Sequence, residues 1–100
     1  MASYRLSPAA EQDLEAIWAY TARTWSPQQA EAYFVELVHA LDLLQGSPGI
    51  GRKVDHIRQG YRRFHAAHHL FFYVEAGQDG VDVIRILHEK SDVSPHLGEE

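Results

Sequence analysis

Side chains at Leu14, Ile17, Trp18, Thr21 and Trp25 follow the i, i+3, i+4, i+7, i+11 spacing of one helical face. Ser7-Pro8 ahead of them supplies an N-cap and a first-turn proline, and Glu11, Gln12 and Glu15 place acidic and polar groups where the helix dipole favours them. The pattern predicts a helix, with both tryptophans on its core stripe. Ser26-Pro27-Gln28-Gln29 repeats the start signal after a break of a residue or two, so a second helix must fold back as an antiparallel hairpin. Ala30, Phe34, Leu37, Leu41 and Leu44 form its stripe, widened by Tyr33 and Val38, and Gly46 ends it. Ser47 to Arg52 is a loop by composition, and Lys53 to Gln59 shows no clear period.

From Gly60 the period changes to two. Tyr61 to His65 and His69 to Glu75 read as strands joined by Ala66-Ala67-His68, and Gly77 to Gly80 forms a second turn marked by Asp79-Gly80. The last strand, Val81 to His88, has no glycine or proline. Its parity sets Val81, Val83, Arg85 and Leu87 on one face and Asp82, Ile84, Ile86 and His88 on the other. Aliphatic side chains on both faces demand cover on both, hence a central position with helices on one side and the tail or another protein on the other. With Tyr4 to Leu6 as a short edge strand, the order is β-α-α-β-β-β. This is an α+β fold in which a helical hairpin packs on a small twisted antiparallel sheet, one domain over residues 1–100. The polar stretch 89–100 reads as a frayed tail; the alternative is that Val93 and Leu97, at i and i+4, form a helical turn that docks on the sheet or a partner.

At 100 residues the chain supports one core and only a shallow site. No cysteine is present, which excludes disulfides and thiolate metal sites. The start carries no apolar signal region and no stretch approaches the ~18 apolar residues of a membrane span, so a cytoplasmic protein with no membrane association is expected. A net charge of −5 is the wrong sign for a protein whose affinity rests on neutralising phosphates, although a local basic patch is compatible with it.

The glycines at Gly46, Gly49 and Gly51 do not meet a phosphate-loop pattern, and the sequence contains no cofactor motif. His65, His68, His69 and His88 invite a metal reading. Adjacent His68 and His69 point to opposite faces of a strand, however, and no carboxylate spacing completes a site, so no metal is expected. Arg62, Arg63, His65, Tyr73, Arg85 and His88 on the meander offer the base, acid and cation that RNA cleavage at a 2′-hydroxyl requires. The simpler reading makes the arginines solvated edge residues and Tyr73 and His88 rim packing.

The segments YRLSPAAEQDLEAIWAY, SPGIGR, IRQGYRRF, HHLFFYVE and VDVIRILHEKSD, in this order and over nearly the whole chain, resemble the ParE branch of the RelE/ParE toxin superfamily. The resemblance implies the toxin of a type II toxin-antitoxin module that inhibits DNA gyrase by binding, without enzymatic activity or cofactor. It also implies a ParD-like ribbon-helix-helix antitoxin as partner, and contact with nucleic acid only through that antitoxin. Ile86-Leu87-His88 and Asp92 match the family ending, and Gly60, Arg62 and Tyr73 its meander. Lys90 and Ser91 stand where Arg and Met are common, and Gln59 where Pro is. The surfaces implied for the antitoxin involve Trp18, Tyr33, Leu37, Phe71, Tyr73 and Arg85, and those for gyrase His88, Lys90, Asp92, Val93 and Leu97. The alternatives are a ribosome-dependent mRNA endonuclease using Arg62, Arg63, Tyr73 and His88, or an inactive relative that only co-represses its operon.

Overall fold

A computed structural model describes residues 3–77, 80–93 and 97. The chain begins with strand β1 (Ser3–Leu6), followed by helices α1 (Pro8–Thr24) and α2 (Pro27–Gly46). A short 3-10 turn (Pro48–Ile50) leads to strands β2 (Arg52–Lys53), β3 (Arg62–Ala66), β4 (His69–Glu75) and β5 (Gly80–His88). Both helix starts follow the expected chemistry: Ser7 Oγ accepts from Ala10 N at 2.9 Å and Ser26 Oγ from Gln29 N at 3.0 Å, each with proline in the first turn. Trp25 and Ser26 alone separate the helices, which pack on each other and on the sheet.

The sheet order is β1-β5-β4-β3-β2, with β5 inside and β1 at one edge as expected. It is mixed rather than antiparallel, because β1 pairs in parallel with β5 while the other pairs are antiparallel. The helices and the meander together form the long connection that a parallel neighbour requires. Strand β2, inside the segment expected to be loop and connection, adds a fifth strand against β3. The turn at Ala67 and His68 is carried by Ala67 at φ 55°. Gln78 and Asp79, in the turn expected before β5, lie outside the described residues.

Two apolar clusters flank the sheet. On the helical side Ala10, Leu37, Ala40, Leu41 and Leu44 meet Phe71, Tyr73, Val81, Val83 and Ile86; on the far side Val54, Leu70, Phe72 and Leu87 meet Leu97. The alternation expected for β5 fails halfway. A bulge falls where Phe72 pairs with Arg85 but Tyr73 with Val83, so Ile84 is an extra residue in the ladder. Beyond it Ile86 joins the helical side and Leu87 the far side, reversing their expected partners.

The tryptophans depart from expectation, since Trp18 is 40% and Trp25 68% exposed. Trp25 is the C-cap of α1, beyond the part of the stripe that meets the sheet, and Trp18 lies at the outer margin of the hairpin against Phe34. The tail also departs from the frayed reading. Leu97 is 3% exposed, its N–H bonds to Val93 O at 3.1 Å, and Val93 packs against the same cluster. Val93 and Leu97 therefore dock on the far face of the sheet, and they supply the second cover that β5 requires.

Leu97→Ala is expected to lower unfolding free energy by about 2–3 kcal/mol, as for other buried leucines. Urea denaturation reads this directly, and an unchanged midpoint would mean the tail contributes nothing to the core.

Candidate functional site

The four residues of the RNA-cleavage reading do not converge. Tyr73 is fully buried; its hydroxyl donates to Pro48 O at 2.7 Å and accepts from Gly51 N at 2.9 Å. Burial raises its pKa above the ordinary value. A Cβ on Gly51 would lie 2.6 Å from that hydroxyl and 2.9 Å from Arg63 O, so only glycine fits there. Arg62 donates from Nε to Glu75 Oε2 at 2.9 Å and from its terminal nitrogen to Gly51 O at 2.7 Å. Tyr73 and Arg62 thus pin the SPGIGR loop to the sheet. Arg63, paired with Phe72, faces the far side of the sheet. His88 pairs with His69, four residues along β4 from Tyr73, or roughly 13 Å away at the rise of a strand.

The histidines gather at the other end of the sheet. Tyr33 of α2 accepts at its hydroxyl from His68 N at 3.1 Å and shares a second hydrogen bond with His69 Nδ1 at 2.6 Å. His69 is buried, and burial first, then His88 and His68, lower its pKa from 6.5 to about 4. Its ring meets that of His88 edge-on, with centroids 5.3 Å apart. Glu89 receives His65 Nε2 on one oxygen at 2.8 Å and His68 Nδ1 on the other at 3.0 Å, and these bonds hold its carboxyl below the usual range. The cluster joins α2, the β3–β4 turn and the end of β5. Among the described residues no His, Asp and Glu group is arranged to hold a metal ion.

Of the side chains expected to meet an antitoxin, Leu37, Phe71 and Tyr73 are 0% exposed and offer no surface. Strand and helix stripes that match in sequence bury their middles first, and these three are the middles. Arg85 is tied to α1: its Nε and a terminal nitrogen donate to the two oxygens of Asp13 at 2.8 and 2.9 Å, an arrangement that raises its pKa. Tyr33 is half-buried and engaged by the histidines. Trp18 remains. It stands edge-on to Phe34, centroids 5.8 Å apart, beside a shallow groove of about 300 Å³ that Leu14 and Glu15 complete. Leu14 and Phe34 lay hidden in the sequence because both sit on stripes that read as core. The width of the combined stripes, greater than one sheet face accepts, was the available signal. Of the residues expected to meet gyrase, His88, Lys90 and Asp92 are exposed and Val93 half-buried, whereas Leu97 is in the core.

Because His69 binds its proton more weakly folded than unfolded, protons favour the unfolded chain between pH 6.5 and about 4. The contribution of neutral His69 is complete above pH 6.5 and is lost as pH falls, about 1–2 kcal/mol of it by pH 5. Urea midpoints at pH 7.5 and 5 measure the loss. His69→Leu should flatten the slope, and an equal slope in that variant would exclude His69 as the cause.

Residues 4–93 match the family described as the ParE toxin of type II toxin-antitoxin system, parDE. The chain is 47% identical over 94 residues to Toxin ParE1 of Mycobacterium tuberculosis, covering 94% of this chain and 96% of the relative. It is 37% identical over 98 residues to Toxin ParE1 of Caulobacter vibrioides, with 98% and 100% covered. It is 28% identical over 99 residues to Toxin ParE of Escherichia coli, with 99% and 96% covered. The fold is that of a chain in the chromosomal ParDE TA system from P. aeruginosa, with a TM-score of 0.75 at 21% identity over 88% of this chain and 96% of that one. Taken with the hairpin-on-sheet architecture, these matches place the chain in the ParE toxin family of type II toxin-antitoxin systems.

Proposed function

We propose that this toxin inhibits DNA gyrase by binding it, and that a ParD-like antitoxin neutralises it by covering the helical hairpin. The observation that carries the reading is the groove at Leu14, Glu15, Trp18 and Phe34, with Trp18 left 40% exposed. A half-exposed tryptophan beside an apolar groove is the kind of anchor on which protein interfaces concentrate their binding energy. An amphipathic antitoxin segment laid across α1 and α2 would cover it. The exposed His88, Lys90 and Asp92 at the start of the tail supply the surface for gyrase, while Leu97 holds that segment against the sheet. The endonuclease reading receives no such support, since its tyrosine and one arginine are bound into the loop anchor and its histidine lies at the opposite end of β5.

Purified toxin should abolish supercoiling by gyrase and accumulate cleaved DNA, and antitoxin added first should prevent both. Gyrase unaffected by a large excess of folded toxin would overturn the target. Trp18→Ala should weaken antitoxin binding about 10- to 30-fold, or about 1.4–2 kcal/mol, with little change in melting temperature. Titration calorimetry measures this, and unaltered affinity would move the antitoxin off the groove.

A further inference from the structure

Five of the nine lysines and arginines fall within residues 52–63, beside a single carboxylate, Asp55. This segment carries a net +4 in a chain of −5, so the remaining residues sum to −9. The charge is also arranged against the fold. Arg52 of β2 lies directly opposite Arg63 of β3, and Lys53 opposite Arg62. Like charges facing across a ladder destabilise it. Arg62 is relieved by Glu75, but among the described residues Arg52, Lys53 and Arg63 have no carboxylate partner.

Charged side chains on a short outer strand are a common protection against edge-to-edge association, which accounts for Arg52 and Lys53. It does not account for Arg63, which sits on an inner strand and points with Phe72 to the far side of the sheet. Arg58, stacked over the Tyr61 ring at 5.9 Å, borders the same patch. An acidic protein segment would want apolar anchors beside these charges. The neighbouring apolar side chains Val54, Phe72 and Leu87 are buried under Leu97; exposed Trp18, Tyr20, Trp25, Val35 and Leu43 are on or capping the helices, and exposed Ile50 is on the 3-10 turn that packs on α2. A phosphate backbone needs only the cations. Arg52 and Arg63, directly opposite each other on neighbouring strands about 5 Å apart, present two guanidinium groups on one face and can engage it.

We propose that Arg52 and Arg63 bind the phosphate backbone of duplex DNA on the far side of the sheet from the helices. This departs from the expectation drawn from net charge, which averages a basic edge with an acidic remainder. It deepens the gyrase reading, and rests on it for its setting: a toxin that holds gyrase on cleaved DNA presents this face to the DNA. With two phosphates neutralised, affinity for free DNA is weak and its logarithm falls against the logarithm of salt with a slope of about −2.

Fluorescence anisotropy of a labelled duplex, with polyglutamate as competitor, tests the contact on wild type and on Arg52→Gln/Arg63→Gln. The expected result is that slope for wild type, at least about a tenfold loss in the variant, and restoration by Arg52→Lys/Arg63→Lys. The melting temperature of the Gln variant should be unchanged or raised, because the opposed charges are gone, which a merely structural role would not give. Absent DNA binding, equal binding by the Gln variant, or displacement by polyglutamate at equal charge would overturn the proposal, the last assigning the patch to an acidic protein. In the gyrase assay the Gln variant should trap less cleaved DNA than wild type. The duplex measurement contains no gyrase, so its failure sinks the DNA contact alone; failure of wild type to trap cleaved DNA sinks the gyrase reading alone.

Discussion

One carboxylate fixes how the helices sit on the sheet. Asp13 of α1 accepts two hydrogen bonds from Arg85 and a third, at 2.9 Å, from the backbone N–H of Ile86. That N–H lies beyond Val83, where the pairing of β5 with β1 ends and a donor on that edge would otherwise be left without a partner. One and a half helical turns earlier, Ser7 uses its hydroxyl to cap α1 and to donate to Ile84 O at 2.6 Å, while its N–H bonds to Val83 O. Asp13 and Ser7 thus read both sides of the bulge. Without Asp13 a half-buried guanidinium and a backbone donor would lose their partner together, a loss large on the scale of a small domain's stability.

The consequences run outward from β5. The bulge turns Ile86 toward the helices and Leu87 toward the tail, so each cluster owes one of its members to it. The helical side is then filled in its middle, and its margin at Trp18 and Phe34 stays open to a partner. The far side is closed by Leu97, which leaves charge rather than apolar area beside it at Arg52 and Arg63. Two chemically different surfaces on opposite sides of one sheet suit a protein that must meet two partners, an antitoxin and a target.

Element order apart from β2, both caps and the hairpin were legible in the sequence because each depends on neighbours within a few residues: Ser7-Pro8, Ser26-Pro27 and the stripe through Leu37, Leu41 and Leu44. What was hidden depends on distant residues. The bulge is a register event between β4 and β5, and no local pattern records it. Trp18 lies on a helical stripe whose core limit is set by the width of the sheet. Leu97 needed the exposed far face of β5 before its burial made sense. Tyr73 was singled out as a partner-facing or chemical residue, whereas its place as anchor of the SPGIGR loop required the approach of Gly51, a contact across 22 positions. The family resemblance named the partners, yet it could not separate core positions such as Phe71 from surface ones.

On the proposed function, this toxin works by occupying another protein and not by breaking bonds in RNA. The most direct test is ribosomes programmed with a defined mRNA, incubated with stoichiometric folded toxin, and the transcript ends mapped. Intact transcript is the expected result. Cleavage at ribosome-positioned codons, abolished by His88→Ala or Arg63→Gln in a variant that remains folded, would contradict it.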